Sequence, residues 1–212
     1  MGLFDFLKKD KDKAEKPSLP IIHDVGFGRT VTVDQLAVSM LDDSHRFEMP
    51  TPSLTITGQG TVQFEDGVWL HRFYTDDHML LQIMGGDGIV DKEIQQISVF
   101  SVYDSIEPAN KAALASEIER LKADTYVLDG ESYQRVWFDG EGATDPVQFH
   151  EKVCLNETGS DSYGIQQSCM LYTRDVDGTE ENLLVTYEKT TQGDECITQM
   201  VGITLSPNDL SL

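Results

Sequence analysis

Five Asp-Gly dipeptides punctuate this chain and constrain its fold more than any other feature of the sequence. They stand at residues 66–67, 87–88, 129–130, 139–140 and 177–178. Glycine accepts a positive φ without steric cost, so Asp-Gly between alternating apolar segments favours the tight turn of a β-hairpin. Five such turns within 212 residues predict an antiparallel β meander or a set of hairpins.

Segments with a period of two supply the strands around these turns. The alternation predicts strands at 29–33, 54–64, 133–138, 147–155, 166–175, 182–189 and 197–205. The hairpin around Asp177-Gly178 is expected to have a loop somewhat longer than two residues. Because these strands follow one another without crossover helices, the sheets should be antiparallel.

About two helices are predicted beside the strands. A short helix is expected over 34–42, with Asp34 as its N-cap and Leu36, Met40 and Leu41 on one side. A longer helix is expected over 109–123, where Pro108 suits the first turn. In that helix apolar residues recur at spacings of four and three: Leu114, Ile118 and Leu121. The sequence therefore predicts a β-dominated α+β fold.

Two segments of the chain resemble each other. Residues 66–76 read DGVWLHRFYTD and residues 129–139 read DGESYQRVWFD, with Asp, Gly, Arg and the closing Asp in the same places. Internal repetition indicates two related β subdomains, whereas chance similarity between hairpins would give the same pattern. With either origin, residues 21–212 are expected to form one β-rich domain.

The first 20 residues differ from the rest of the chain. An apolar cluster at residues 1–9 comprises Leu3, Phe4, Phe6 and Leu7, and a charged, Pro-containing linker follows over 10–20. An apolar peptide on a polar tether is either an anchor for a partner protein or membrane, or a segment that docks on its own domain. A weak peripheral contact with a membrane is one expected use, and a homo-oligomer is another.

Charge sets limits on the partners. The chain has 37 acidic and 16 basic residues and a formal net charge of −21. Residues 1–17 carry five Lys against four acids, a net of +1, so the remaining residues carry −22. Such a body repels phosphate backbones, which argues against nucleic-acid binding. The acidic surface serves either solubility or a basic partner.

The cysteines indicate a reducing compartment. The chain has an odd number of cysteines, Cys154, Cys169 and Cys196, and no two of them form a C-x-x-C motif. A disulfide framework or a thiolate zinc site is therefore not expected. Reduced thiols in a cytoplasmic protein fit this pattern. No apolar run approaches the ~20 residues that a membrane span needs.

One polar cluster could bind a metal. His71, Asp76, Asp77 and His78 could supply nitrogen and oxygen ligands to a divalent ion. The alternative is a strand that ends in an acidic turn, and no fixed-spacing metal motif is present in the sequence. No metal or other cofactor is therefore predicted.

Two arginines lie within apolar strands of this acidic chain. Arg72 and Arg135 are expected to pair with carboxylates, with recognition of an anion as the alternative. The sequence shows no nucleophile elbow, phosphate loop or dinucleotide fingerprint, and so names no catalytic residue.

The segments LHRFYTDD (70–77), YQRVWFD (133–139) and VGITLSPNDL (201–210) resemble the YjfK-like bacterial family, a domain of unknown function. The resemblance implies no assigned enzyme activity, cofactor or catalytic residue. Genes of that family neighbour genes for membrane-stress proteins of the phage-shock type, which implies an accessory role near the inner membrane.

Two classes of function stay open. The first is a non-enzymatic, acidic interaction protein of the bacterial cytoplasm. The second is a hydrolase or small-ligand-binding enzyme with a site between β units. A deep pocket with converging carboxylates and histidines of shifted pKa would favour the second class.

Overall fold

The computed structural model describes residues 19–39, 41, 44–85, 94–138 and 140–211. Two α-helices, α1 (Gln35–Ser39) and α2 (Lys111–Arg120), and a 3-10 helix (Pro207–Asp209) are present in this part of the chain. The strands are β1 (Thr30–Val33), β2 (Ser53–Gln63), β3 (Trp69–Thr75), β4 (Met79–Gly85), β5 (Gln96–Ile106), β6 (Thr125–Leu128), β7 (Glu131–Arg135), β8 (Val147–Cys154), β9 (Ser162–Val176), β10 (Thr179–Thr190), β11 (Glu195–Leu205) and β12 (Leu210–Ser211). All pairings are antiparallel, which confirms the β-dominated α+β prediction.

Eight strands close into a barrel. Hydrogen bonds run in the order β2, β3, β4, β5, β11, β10, β9 and β8. Strand β8 returns to β2 through Gln59↔Cys154, Gly60↔Val153 and Thr61↔Lys152, which completes the cylinder. Side chains alternate along each strand, so every second residue points into the barrel and the others point out.

Strands β2 and β9 extend beyond the barrel. The first residues of β2 pair with β1, and β12 pairs with the other edge of β1. The second half of β9 pairs with β7, which forms a hairpin with β6. These additions cover the outer face of the barrel, where Val31, Leu121, Tyr126, Tyr133 and Leu210 join the larger apolar core.

The helices differ in detail from their predictions. In α1, Asp34 caps the first turn by accepting a hydrogen bond from the amide of Leu36. The side chain of Leu36 is exposed, however, while Ala37, Val38 and Leu41 pack against the core. Helix α2 begins later than expected because Asn110 is its N-cap. The Asn110 side chain accepts hydrogen bonds from the backbone amides of Ala112 and Ala113, so Pro108 precedes the helix.

The Asp-Gly turns have the expected conformation where the structure describes them. Gly67, Gly130 and Gly178 all have positive φ and connect β2–β3, β6–β7 and β9–β10. The expected longer loop at Asp177-Gly178 is wrong, since Val176 pairs with Thr179 and leaves a two-residue turn. The dipeptide at 87–88 and Asp139 of the dipeptide at 139–140 lie outside the described residues.

Candidate functional site

The barrel interior has an apolar half. Its buried side chains come from strands on all sides of the cylinder, and they form a second core separate from the one outside: Val62, Leu70, Leu80, Phe100, Phe149, Cys169, Leu171, Leu184 and Met200. Phe64, Met84 and Trp137 pack against this core from one end. The interior is therefore lined by apolar side chains toward that end.

A polar network occupies the middle of the barrel. Arg72 on β3 donates from Nη1 to Oε2 of Glu151 at 3.0 Å and to Oε1 of Gln167 at 2.5 Å. Gln167 donates to the same Glu151 oxygen at 2.6 Å, and the hydroxyl of Tyr74 donates to Glu151 at 2.9 Å. Arg72 and Glu151 are 1% and 0% exposed, so this is a fully buried ion pair.

Gly60 on β2 makes room for the ion pair. A Cβ at this position would stand 1.7 Å from Oε1 of Glu151 and 2.6 Å from its Cδ. Those distances are far inside van der Waals contact, so no larger residue fits while the carboxylate stays in place. A glycine within a strand commonly marks such a close approach.

Burial and neighbouring charges act on the groups of this network. Burial by itself lowers the pKa of Arg72, but Tyr74, Glu151, Cys169 and Glu188 oppose it and leave the pKa well above its ordinary value. Burial raises the pKa of Glu188 and raises the pKa of the Cys169 thiol to about 12. The guanidinium therefore stays charged at neutral pH, while the thiol stays protonated.

A cavity of about 490 Å³ opens at the apolar end of the barrel. Its walls include Phe64, Leu70, Met84, Trp137, Phe149 and Leu184, and Arg72, Gln82 and Cys169 also line it. Asp66 stands in the turn at the mouth, and Val136 and Phe138, both about half exposed, lie beside it. No histidine is present among the described lining residues.

Two polar side chains in this lining have unused hydrogen-bonding capacity. Nε of Arg72 is buried without an acceptor among the described residues, and Nη2 also makes no hydrogen bond there. Gln82 pairs with Arg72 in register on the neighbouring strand, so both side chains point inward. The Gln82 amide likewise has no protein partner within the described ranges.

The two predicted arginine sites are not alike. Arg72 pairs with a carboxylate, as expected, and lies inside the barrel. Arg135 lies at the end of the outer strand β7 and donates instead to three backbone carbonyls, those of Lys122, Gly140 and Gly142. Among the described residues no carboxylate pairs with Arg135, because its guanidinium donates to these loop carbonyls instead. Both arginines follow an Asp-Gly hairpin turn. A common origin of residues 66–76 and 129–139 by duplication stays a prediction.

The predicted metal cluster is divided between two environments. His71 is buried on the outer face of β3 with its ring stacked on Trp69, and burial lowers its pKa to about 4. Asp76, Asp77 and His78 are exposed in the turn that follows this strand. Within the described residues no group of three or more His, Cys, Asp or Glu could hold a metal ion.

Sequence reasoning missed Glu151, Gln167 and Gln82. A signal for Glu151 was present, since alternation in VQFHEKVC places it between Phe149 and Val153 on one strand face. An acid on an apolar face requires a buried partner, and Arg72 is that partner. The carboxamides gave no comparable signal because Gln is common on exposed strand faces.

Other expectations concern residues outside this cavity. Leu3, Phe4, Phe6 and Leu7 lie outside the described residues, so a partner or membrane contact through them stays a prediction. In the part of the chain that the structure describes, no helix has the length and apolar character to span a membrane. The three cysteines are free, and two of them, Cys154 and Cys169, are buried.

Comparisons with known proteins place the chain in a family. Neither the search of curated proteins nor that of solved structures gave a match. A family model described as "Protein of unknown function (DUF2491)" matches residues 3–211, which is nearly the whole chain. The YjfK-like name is finer than this match supports and stays a proposal. The chain therefore belongs to the DUF2491 family of proteins of unknown function.

Proposed function

We propose that this chain is a non-enzymatic binding protein whose barrel holds one apolar small molecule. The observation that carries the proposal is the cavity of about 490 Å³ at the open end of the barrel. Its size falls within the roughly 300–1,000 Å³ of small-molecule sites, and its apolar walls with a few polar groups are typical of them. An apolar ligand would gain free energy by leaving water for these walls.

The chemistry of the lining favours binding over catalysis. The Cys169 thiol has a pKa of about 12 and is not a ready nucleophile at neutral pH. Glu151 is fully buried and already accepts hydrogen bonds from Arg72, Tyr74 and Gln167. A general base needs a carboxylate that is free to take a proton from the substrate, and this one is occupied.

Titration with the neutral fluorophore phenylnaphthylamine tests the proposal. Its fluorescence should rise in a saturable manner at one site per chain. Met84→Trp and Val68→Trp narrow the cavity from two sides and should weaken binding at least about tenfold through steric exclusion. Val127→Trp is the matched control because Val127 lies half exposed on the outer strand β6.

Circular dichroism establishes that each variant is folded before it is titrated. The proposal is wrong if the wild-type protein does not bind the fluorophore. It is equally wrong if folded Val68→Trp and Met84→Trp proteins bind as tightly as Val127→Trp.

A role as an accessory protein near the inner membrane is compatible with this binding function. Such a protein would keep an apolar molecule in solution by enclosing it in the barrel. The apolar peptide containing Leu3, Phe4, Phe6 and Leu7 would then bring the carrier to a partner or a membrane surface. Removal of residues 1–17 should weaken co-sedimentation with vesicles or a partner, and should leave phenylnaphthylamine binding unchanged.

A further inference from the structure

The charge on the inner wall of the barrel restricts the kind of ligand that fits. Arg72 is a buried cation, but it does not present an unbalanced charge to the cavity. Its Nη1 lies 3.0 Å from Oε2 of Glu151, so the guanidinium already has a carboxylate partner. A second carboxylate brought to the same guanidinium would face Glu151 at close range, and like charges in a buried site disfavour each other.

The hydrogen-bonding groups, by contrast, are incomplete. Arg72 retains Nε and Nη2 as donors without acceptors among the described residues. Gln82 beside it offers one amide oxygen and one amide nitrogen toward the cavity. A buried donor without an acceptor costs free energy, so an acceptor on a ligand would be bound favourably here.

We infer that the barrel selects apolar molecules that end in an uncharged carbonyl group, such as an alkyl amide, over those that end in a carboxylate. The carbonyl oxygen accepts from the free edge of Arg72, and an amide N–H of the ligand donates to Gln82. Glu151 supplies the neutralising charge that makes a second anion unnecessary. This inference rests on the proposed binding function and specifies its ligand class.

Displacement of phenylnaphthylamine measures the selectivity directly. Decanamide and decanoate carry the same alkyl chain and differ in the charge of the head group at neutral pH. The wild-type protein should bind decanamide at least about tenfold more tightly, because decanoate would bring a second carboxylate close to the buried Glu151. Decylamine should also bind weakly, since its ammonium would meet the Arg72 cation.

Two variants test the roles of Glu151 and Gln82 in this selectivity. Glu151→Gln removes the neutralising charge and should reverse the preference, so that decanoate displaces the fluorophore at lower concentration than decanamide. Gln82→Leu keeps the ion pair and should weaken decanamide binding about two- to tenfold, the worth of one hydrogen bond, with little effect on decanoate. Gln82→Leu also provides a test if Glu151→Gln does not fold.

The outcomes separate the two proposals. If the fluorophore does not bind the wild-type protein, the binding function itself is wrong. If the fluorophore binds but decanoate competes as well as or better than decanamide, the binding function stands and the inferred head-group selectivity is overturned. An unchanged preference in both folded variants would also overturn it.

Discussion

The buried pair of Arg72 and Glu151 makes a specific prediction about stability. Arg72→Met should leave the Glu151 carboxylate fully buried without its cation, and Glu151→Gln should leave the guanidinium without its anion. Breaking a buried pair from one side costs about 3–5 kcal/mol. For a domain of this length, each kcal/mol corresponds to about 2–4 °C in Tm, so each single variant should melt roughly 6–20 °C lower.

The double variant is the informative one. With both charges removed, no isolated ion remains buried. The double variant should therefore lose about 2–3 kcal/mol less free energy of unfolding than the two single variants lose together. Urea unfolding at neutral pH, followed by circular dichroism, gives the four free energies of unfolding that the cycle requires. Losses that add to within about 0.5 kcal/mol would show that the two residues do not interact energetically.

Three further predictions concern residues around the barrel. Gly60→Ala should displace the buried Glu151 carboxylate and lower the free energy of unfolding in urea by about 3 kcal/mol. Gly58→Ala is the control, because its Cβ would lie 3.4 Å from its nearest neighbour and should lower that free energy much less. Burial lowers the pKa of His71 from its ordinary 6.5 to about 4, so the stability that the neutral ring contributes is complete above pH 6.5. The free energy of unfolding should then decline by about 2–3 kcal/mol as the pH falls toward 4. His71→Phe should lack this decline when the free energy of unfolding is measured across the same pH range. Burial raises the pKa of Glu181, but hydrogen bonds, including one from Arg174, outweigh this and lower it, so its stabilisation is present above about pH 4.5 and is lost as pH falls through the folded pKa. Glu181→Gln should therefore cost about 2–4 kcal/mol at pH 7, and a loss that persists unchanged under more acidic conditions would contradict the assignment.

Local features of the fold could be predicted from the sequence. An Asp-Gly turn depends on a few adjacent residues, and Gly67, Gly130 and Gly178 adopt the positive φ that their neighbours indicated. Strands with strict alternation, such as β8, were placed to within a few residues. Strand β5 was missed, because its first half is buried on both faces and the apolar period of two is lost.

Closure of the barrel could not be predicted in this way. It depends on the pairing of residues 59–61 with residues 152–154, and neither segment contains a signal for the other. The cavity is a consequence of that closure, since its lining residues Arg72, Gln82 and Phe149 come from three different strands. Sequence reasoning identified Arg72 because an arginine within an apolar strand is unusual, but it could not identify which carboxylate the arginine meets.

The position of β11 in the barrel has a consequence for folding kinetics. This strand is the last of the eight in the chain, yet it lies between β5 and β10 and pairs with both over most of its length. Until residues 195–205 leave the ribosome, β5 and β10 each present an unpaired edge of more than ten residues. Such long-range pairing slows folding and exposes partly folded chains to edge-to-edge association. Barrel closure therefore waits for the synthesis of β11, and a nascent chain that stalls before this strand is the form most in need of a chaperone.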